Sequence, residues 1–270
     1  MQAAIHQIVT FASEPFRGNP AFVLSLDRPV PDSVIRQVAD QLNEGVLSCL
    51  RRLDDGRVSL TFHSPTGRHS GAGHSAAAAA HVLLAETGAT RGTFVLDDGS
   101  ERIVTRNGTR TSFPWPLMSS DDVAMIDTLS AALRIPVIEA QVSDFGYIAI
   151  VDEPAVIQTM NPDLEAIARL DRGTVIVTAP GNASDIVIRV FAPKLGLPED
   201  PVCGTAHRII VPYWSRRLGR HELHSRQLSP RGGDLWCHLT DDAVVISGES
   251  RAFLVGSVDL PDVHSAGSAD

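Results

Sequence analysis

One pattern occurs twice in this chain, half a chain apart. The first copy reads Phe62-His63-Ser64-Pro65, then Gly71-Ala72-Gly73-His74-Ser75, and runs into the apolar stretch Ala76 to Leu84. The second reads Phe191-Ala192-Pro193, then Glu199-Asp200-Pro201-Val202-Cys203-Gly204-Thr205-Ala206-His207, and runs into Arg208 to Leu218. In each copy an apolar strand ends at a proline, a loop follows, and a glycine with a small hydroxyl residue opens a helical segment. Gly73 and Gly204 stand 131 positions apart in 270. A chain written this way folds as two matched halves, each presenting a helix N-terminus beside acid/base residues. The expectation is one site shared by two like domains.

Local pattern supports two halves of similar build. Short β-branched segments bounded by Gly, Pro, Asn or Asp read as strands. They include Ile5 to Phe11, Ala21 to Leu26, Gly45 to Leu53 and Val58 to Phe62 in the first half. In the second they include Tyr147 to Val151, Thr174 to Thr178, Ile186 to Phe191, Leu235 to Leu239 and Ala243 to Ser247. Pro31 to Leu42 repeats apolar residues at Val34, Ile35, Val38 and Leu42, the spacing of an amphipathic helix. Ser75 to Glu86 is apolar on nearly all sides and belongs inside a core. Thr205 to Leu218 behaves similarly, with Gly219 placed to end it. Asp121 to Leu133 and Asp163 to Leu170 read as two further helices.

Together these segments predict an α+β fold of two pseudo-symmetric domains, each a curled, mostly antiparallel sheet around a central helix. The prolines flanking Trp115 mark the crossing, giving domains 1–116 and 117–260. A small, polar tail over 261–270 is expected to be flexible.

Composition narrows the function classes. With 43% hydrophobic and 20% charged residues the chain is of ordinary globular type. A net charge of −9 and the lack of a basic run argue against a nucleic-acid partner. The N-terminus shows no signal-peptide pattern, and the most apolar helix falls far short of the ~20 residues of a membrane span. Cys49, Cys203 and Cys237 give an odd count without metal-ligand spacing, so the expectation is a reduced, cytoplasmic protein with no metal.

The repeated motif supplies the chemistry. A helix start leaves backbone N–H groups unpaired and carries partial positive charge, so it attracts an anion. Gly73 and Gly204 permit close backbone approach, while Ser75 and Thr205 can cap the helix or bind a ligand. A small carboxylate suits such a pair of helix starts. His74 and Asp200 beside it suit proton removal and return at a neighbouring carbon. Cys203, directly before Gly204, is a candidate thiolate base or a small buried hydrophobe.

At these residues the chain resembles the PhzF-like family of phenazine biosynthesis, which shares the diaminopimelate epimerase fold. Pro15-Phe16-Arg17-Gly18-Asn19-Pro20 is similar to the family's Pro-Phe-x-Gly-Asn-Pro. Gly73-His74 matches its Gly-His, and Glu199 to Ala206 resembles its Glu-Asp-Pro-x-Thr-Gly-Ser-Ala motif. Tyr213-Trp214 and the Gln227 to Gly233 segment also fit.

The resemblance implies cofactor-free isomerisation by proton transfer, commonly in a homodimer. Relatives in antibiotic pathways, including those that make 4-alkyl-proline units, extend the implication to specialised metabolism. The chain departs from the pattern at the family's proton-shuttling glutamate, which aligns with Val46, and at an acidic position, which aligns with Arg68. Glu44 lies two residues before Val46, a slip that preserves facing along a strand, and is a candidate substitute.

Three readings stand at this point. The first is an isomerase using Asp200 and His74. The second is an epimerase-like enzyme using Cys203; its second cysteine is absent, because Ala72 holds the matching position. The third is a non-catalytic carboxylate-binding protein.

Overall fold

The computed structural model describes residues 1–261. The expected flexible tail, apart from Pro261, lies outside the described residues. The chain divides into two compact units. One comprises Met1–Thr10, Pro20–Phe113 and the chain from Glu249 on; the other comprises Phe11–Asn19 and Pro114–Gly248. These units differ from the expected division into 1–116 and 117–260, since each takes a segment from the far end of the chain. The C-terminal exchange comes from one long strand, Ala243–Asp259, which runs past its expected end at Ser247.

In the first unit the elements are β1 (Gln2–Thr10), β2 (Asn19–Leu26), α1 (Asp32–Gln41), β3 (Leu47–Arg52), β4 (Val58–Ser64), β5 (Gly67–His69), α2 (Gly73–Thr87), β6 (Arg91–Val95), β7 (Glu101–Asn107) and β8 (Arg110–Pro116). β2 runs parallel to β3 and β4 parallel to β6, whereas β3–β4, β6–β7 and β7–β8 are antiparallel. α2 supplies the β4-to-β6 crossover and packs on β1, β3, β6 and β7, so it lies at the centre of its sheet. Ala76 through Ala80 are all buried, as are Val82, Leu83 and Leu84, as expected of a helix without a polar face. α1 packs beside β2 and β3: Ile35, Val38 and Ala39 share a core cluster with Leu24, Leu47 and Cys49. Strand alternation turns Ser48 the other way, towards α2.

The second unit contains β9 (Asp121–Asp122), α3 (Ile126–Leu133), β10 (Glu139–Val142), β11 (Tyr147–Ile150), α4 (Pro154–Thr159), α5 (Leu164–Arg169), β12 (Val175–Pro180), β13 (Ile186–Phe191), α6 (His207–Leu218), β14 (Glu222–Gln227), β15 (Gly233–Leu239) and β16 (Ala243–Asp259). The pairings reproduce those of the first unit. β11–β12 and β13–β14 are parallel, while β12–β13, β14–β15 and β15–β16 are antiparallel. α6 makes the crossover that α2 makes in the first unit. The motif repeat therefore corresponds to a repeat of topology. β16 pairs with β15 over Val244 to Ser247 and with β1 from Ser250 to Asp259.

Several expected boundaries move. The helix expected over Asp121 to Leu133 begins only at Ile126, because Asp121 and Asp122 pair with Val142 and Gln141. The Phe113 to Pro116 segment, read as a break, completes β8. Gly219 ends α6 as expected: it adopts φ 66° and donates its N–H to the Ser215 carbonyl. Among the described residues, no helix is long and apolar enough to cross a membrane.

Candidate functional site

In the first unit, the end of α1 fixes Glu44. Asn43 takes a left-handed conformation (φ 52°), which Asn tolerates better than most residues. Its N–H donates to the Asp40 carbonyl and the Glu44 N–H to the Ala39 carbonyl, both at 2.9 Å, a Schellman arrangement. Glu44 thus emerges at a set angle just before β3. Burial pushes its carboxyl from 4.5 to about 7, partly opposed by a hydrogen bond from the Val46 backbone.

Val46 in turn meets the start of α2. Its carbonyl accepts the Ser75 hydroxyl at 3.1 Å, and the Ser75 carbonyl accepts the Ser48 hydroxyl at 3.0 Å. The extended Ala72 caps α2 without a side-chain hydrogen bond. The N–H groups of Gly73, His74 and Ser75 consequently have no intrahelical acceptor, the condition for holding an anion. Ser75 belongs to the helix itself, and its buried hydroxyl is committed to Val46.

His74 is half-buried, and burial, then the neighbouring His69, lowers its pKa to about 4, so the ring is neutral at pH 7. His69 was not singled out from the sequence. Its Nδ1 accepts the Gly71 N–H at 3.0 Å, which leaves the proton of the neutral ring on Nε2. A lone histidine in a short strand carries no sequence signal for this placement. Arg68 has a structural role: it binds Asp32 at 2.7 Å and Asp97 at 2.8 Å.

In the second unit, Asp200 is held from several directions. Its N–H donates to the Val190 carbonyl at 2.9 Å. Its Oδ1 accepts the Val202 N–H at 3.1 Å and the Asn19 side-chain amide at 2.9 Å. The Gln227 amide donates to the Asp200 carbonyl, while its oxygen accepts the Cys203 N–H at 2.8 Å. Burial raises the Asp200 carboxyl from 3.8 to about 6, although hydrogen bonds from Cys203, Val202 and Asn19 pull the other way. Glu199 serves elsewhere: Arg189 grips it bidentately.

Of the two readings open for Cys203, thiolate base or small buried hydrophobe, its surroundings favour the second. The residue is buried, and desolvation together with the Asp200 charge holds its thiol well above the usual range. Gly204 and Thr205 precede α6 in a tight turn with i to i+3 bonds, His207 N–H to Gly204 carbonyl and Arg208 N–H to Thr205 carbonyl, each 3.1 Å. The expected helix start at Thr205 is thereby corrected to His207.

His207 locks that turn. Its Nδ1 lies 2.8 Å from the Cys203 carbonyl, which can only accept, so the proton resides on Nδ1. Nε2 then accepts the Ser225 hydroxyl at 2.8 Å. Burial lowers the His207 pKa to about 4, keeping the ring neutral.

The predicted residues thus fall into two sets, Glu44, Gly73, His74 and Ser75 in the first unit, and Asp200, Cys203, Gly204 and Thr205 in the second. Among the described residues, no group of three or more His, Cys, Asp or Glu side chains is arranged to hold a metal ion.

The chain resembles known proteins over nearly its whole length. The sequence profile described as phenazine biosynthesis-like protein matches residues 8–256. A Pseudomonas aeruginosa protein named as an uncharacterized isomerase is 34% identical over 263 residues, covering 96% of this chain and all of that one. The crystal structure of a phenazine biosynthesis protein PhzF family member from Enterococcus faecalis superposes with a TM-score of 0.90 at 30% identity. It spans 96% of this chain and 100% of its own. A hydroxyproline epimerase from Agrobacterium vitis, solved with bound trans-4-hydroxy-L-proline, shares the fold at a TM-score of 0.60 and 13% identity. That match covers 95% of this chain and 92% of the epimerase.

Proposed function

Since the chain belongs to the phenazine biosynthesis-like protein family, we propose that it is a cofactor-independent isomerase that moves a proton or a double bond in a small carboxylic or amino acid. One observation carries this reading. Two carboxyls, Glu44 and Asp200, are shifted by burial to about 7 and about 6. Groups poised near neutral pH both accept and donate protons readily. In this reading Glu44 takes over from the glutamate that Val46 replaces.

The step balances without a redox partner. A carboxylate removes a proton from a carbon beside the substrate carboxyl, and the electron pair delocalises into that carboxyl. A protonated group then returns a proton at the same or a conjugated carbon. We assign proton-carrying roles to Glu44, Asp200 and His74. In the first unit, carboxylate binding falls to the backbone N–H groups around Gly73 and Ser75, and in the second unit Gly204 and Thr205 are assigned to substrate contact. The proposal extends to a secondary-metabolite substrate of the 4-alkyl-proline type and to a cytoplasmic homodimer.

The test is incubation in D₂O with a panel of small amino and unsaturated carboxylic acids, read by proton NMR. Deuterium entering at a carbon near the carboxyl supports the reading. Saturable binding of a panel member without exchange overturns it in favour of a carboxylate-binding protein.

A further inference from the structure

The Pro15 to Pro20 motif has no role in the chemistry above, yet it is held firmly. Phe11, Phe16 and Gly18 all take positive φ (59°, 65° and 77°), a conformation that is costly for the two phenylalanines. The Gly18 N–H donates to the Gly232 carbonyl at 2.8 Å, and Arg231 Nε donates to the Gly18 carbonyl at 2.7 Å. These bonds fix the next residue, Asn19, which is 5% exposed.

The Asn19 side-chain nitrogen lies 2.9 Å from both Asp200 Oδ1 and the Val202 carbonyl. Both are acceptors, which fixes the amide orientation with its NH₂ facing them. Oδ1 also accepts the Val202 N–H. Oδ1, which receives two N–H groups, has no lone pair well placed for a proton, so the carboxyl's own proton sits on Oδ2; the Cys203 thiol also donates to this carboxyl, and the Glu199 charge opposes its ionisation.

We propose that Asn19 is a positioning residue for Asp200, orienting its carboxyl and confining its exchangeable proton to Oδ2. This rests on the reading of Asp200 as a proton carrier. Both N–H groups on Oδ1 favour the carboxylate, so losing the Asn19 donor makes Asp200 bind its proton more tightly. Gln227 is the natural comparison. It is 1% exposed and braces the same loop, but it contacts only backbone atoms of Asp200 and Cys203.

The experiment is carbon-13 NMR titration of protein labelled at the aspartate carboxyls, with the Asp200 signal assigned by its loss in Asp200→Asn. Asn19→Ala is expected to tighten proton binding at Asp200 about tenfold. Asn19→Ser, which retains one shorter donor, gives a smaller change, and Gln227→Leu leaves the midpoint in place. Asn19→Ser also keeps the comparison available if the alanine variant fails to fold. The proposal is overturned if the Asn19 variants titrate like the wild type, or if Gln227→Leu shifts Asp200 equally. The titration reads Asp200 whether or not it carries protons in turnover, so a failed isomerase reading shows separately, in the D₂O exchange experiment.

Discussion

The Val46 carbonyl accepts the Ser75 hydroxyl at 3.1 Å, tying the strand that follows α1 to the first turn of α2. The Val46 backbone thereby anchors the helix start. Removing the hydroxyl takes this donor from the Val46 carbonyl and leaves a gap at a fully buried side chain. Ser75→Ala is expected to lower stability by about 1–3 kcal/mol, measured by urea denaturation.

Glu44 predicts a specific pH dependence. Its folded pKa of about 7 lies above the 4.5 of the free side chain, so the folded state holds the proton to higher pH. The Glu44 contribution to stability is therefore fully present below pH 4.5 and is lost as pH rises through 7. His74 and His207, both lowered from 6.5 to about 4, act oppositely and lose their contribution as pH falls through that range. Glu44→Gln mimics the protonated carboxyl at every pH. Its Tm relative to wild type is expected to be higher at pH 8 than at pH 5, and equal offsets at the two pH values would contradict the assignment.

Arg189 holds Glu199 through bonds of 2.7 and 2.8 Å and also donates to the Ile157 and Met160 carbonyls. Cutting one side of a buried pair leaves the other charge uncompensated. Arg189→Leu is expected to cost about 3–5 kcal/mol in chemical denaturation.

The three cysteines are buried, and burial raises each thiol's pKa. Native protein is expected to resist iodoacetamide at pH 8, with all three thiols reacting only after denaturation; mass spectrometry gives the count.

The sequence carried the two-fold plan because both copies kept their glycines and their apolar crossover helices. It hid β14 for a physical reason. Leu223, Ser225 and Gln227 face inward on that strand, and two of these three are polar because one serves His207 and the other braces the Asp200 loop. An alternation rule that requires apolar inward residues overlooks such a strand. The far half of β16 was illegible because Arg251 to Ser257 are all exposed, which erases any alternation. At the candidate site, His74, Asp200 and Glu44 could be named from the motifs. Asn19 and Gln227 act through partners distant in sequence, 181 and 27 residues away, and only the fold reveals those pairs.

Proton transfer by the half-buried carboxyls of Glu44 and Asp200 is tested most directly by solvent exchange. Wild-type protein in D₂O, given a substrate found by the panel, is expected to place deuterium at a carbon near the carboxyl. Asp200→Asn and Glu44→Gln are each expected to slow that exchange at least a hundredfold, within the range typical of general acid–base catalysis. Exchange at the wild-type rate in both variants would contradict the account.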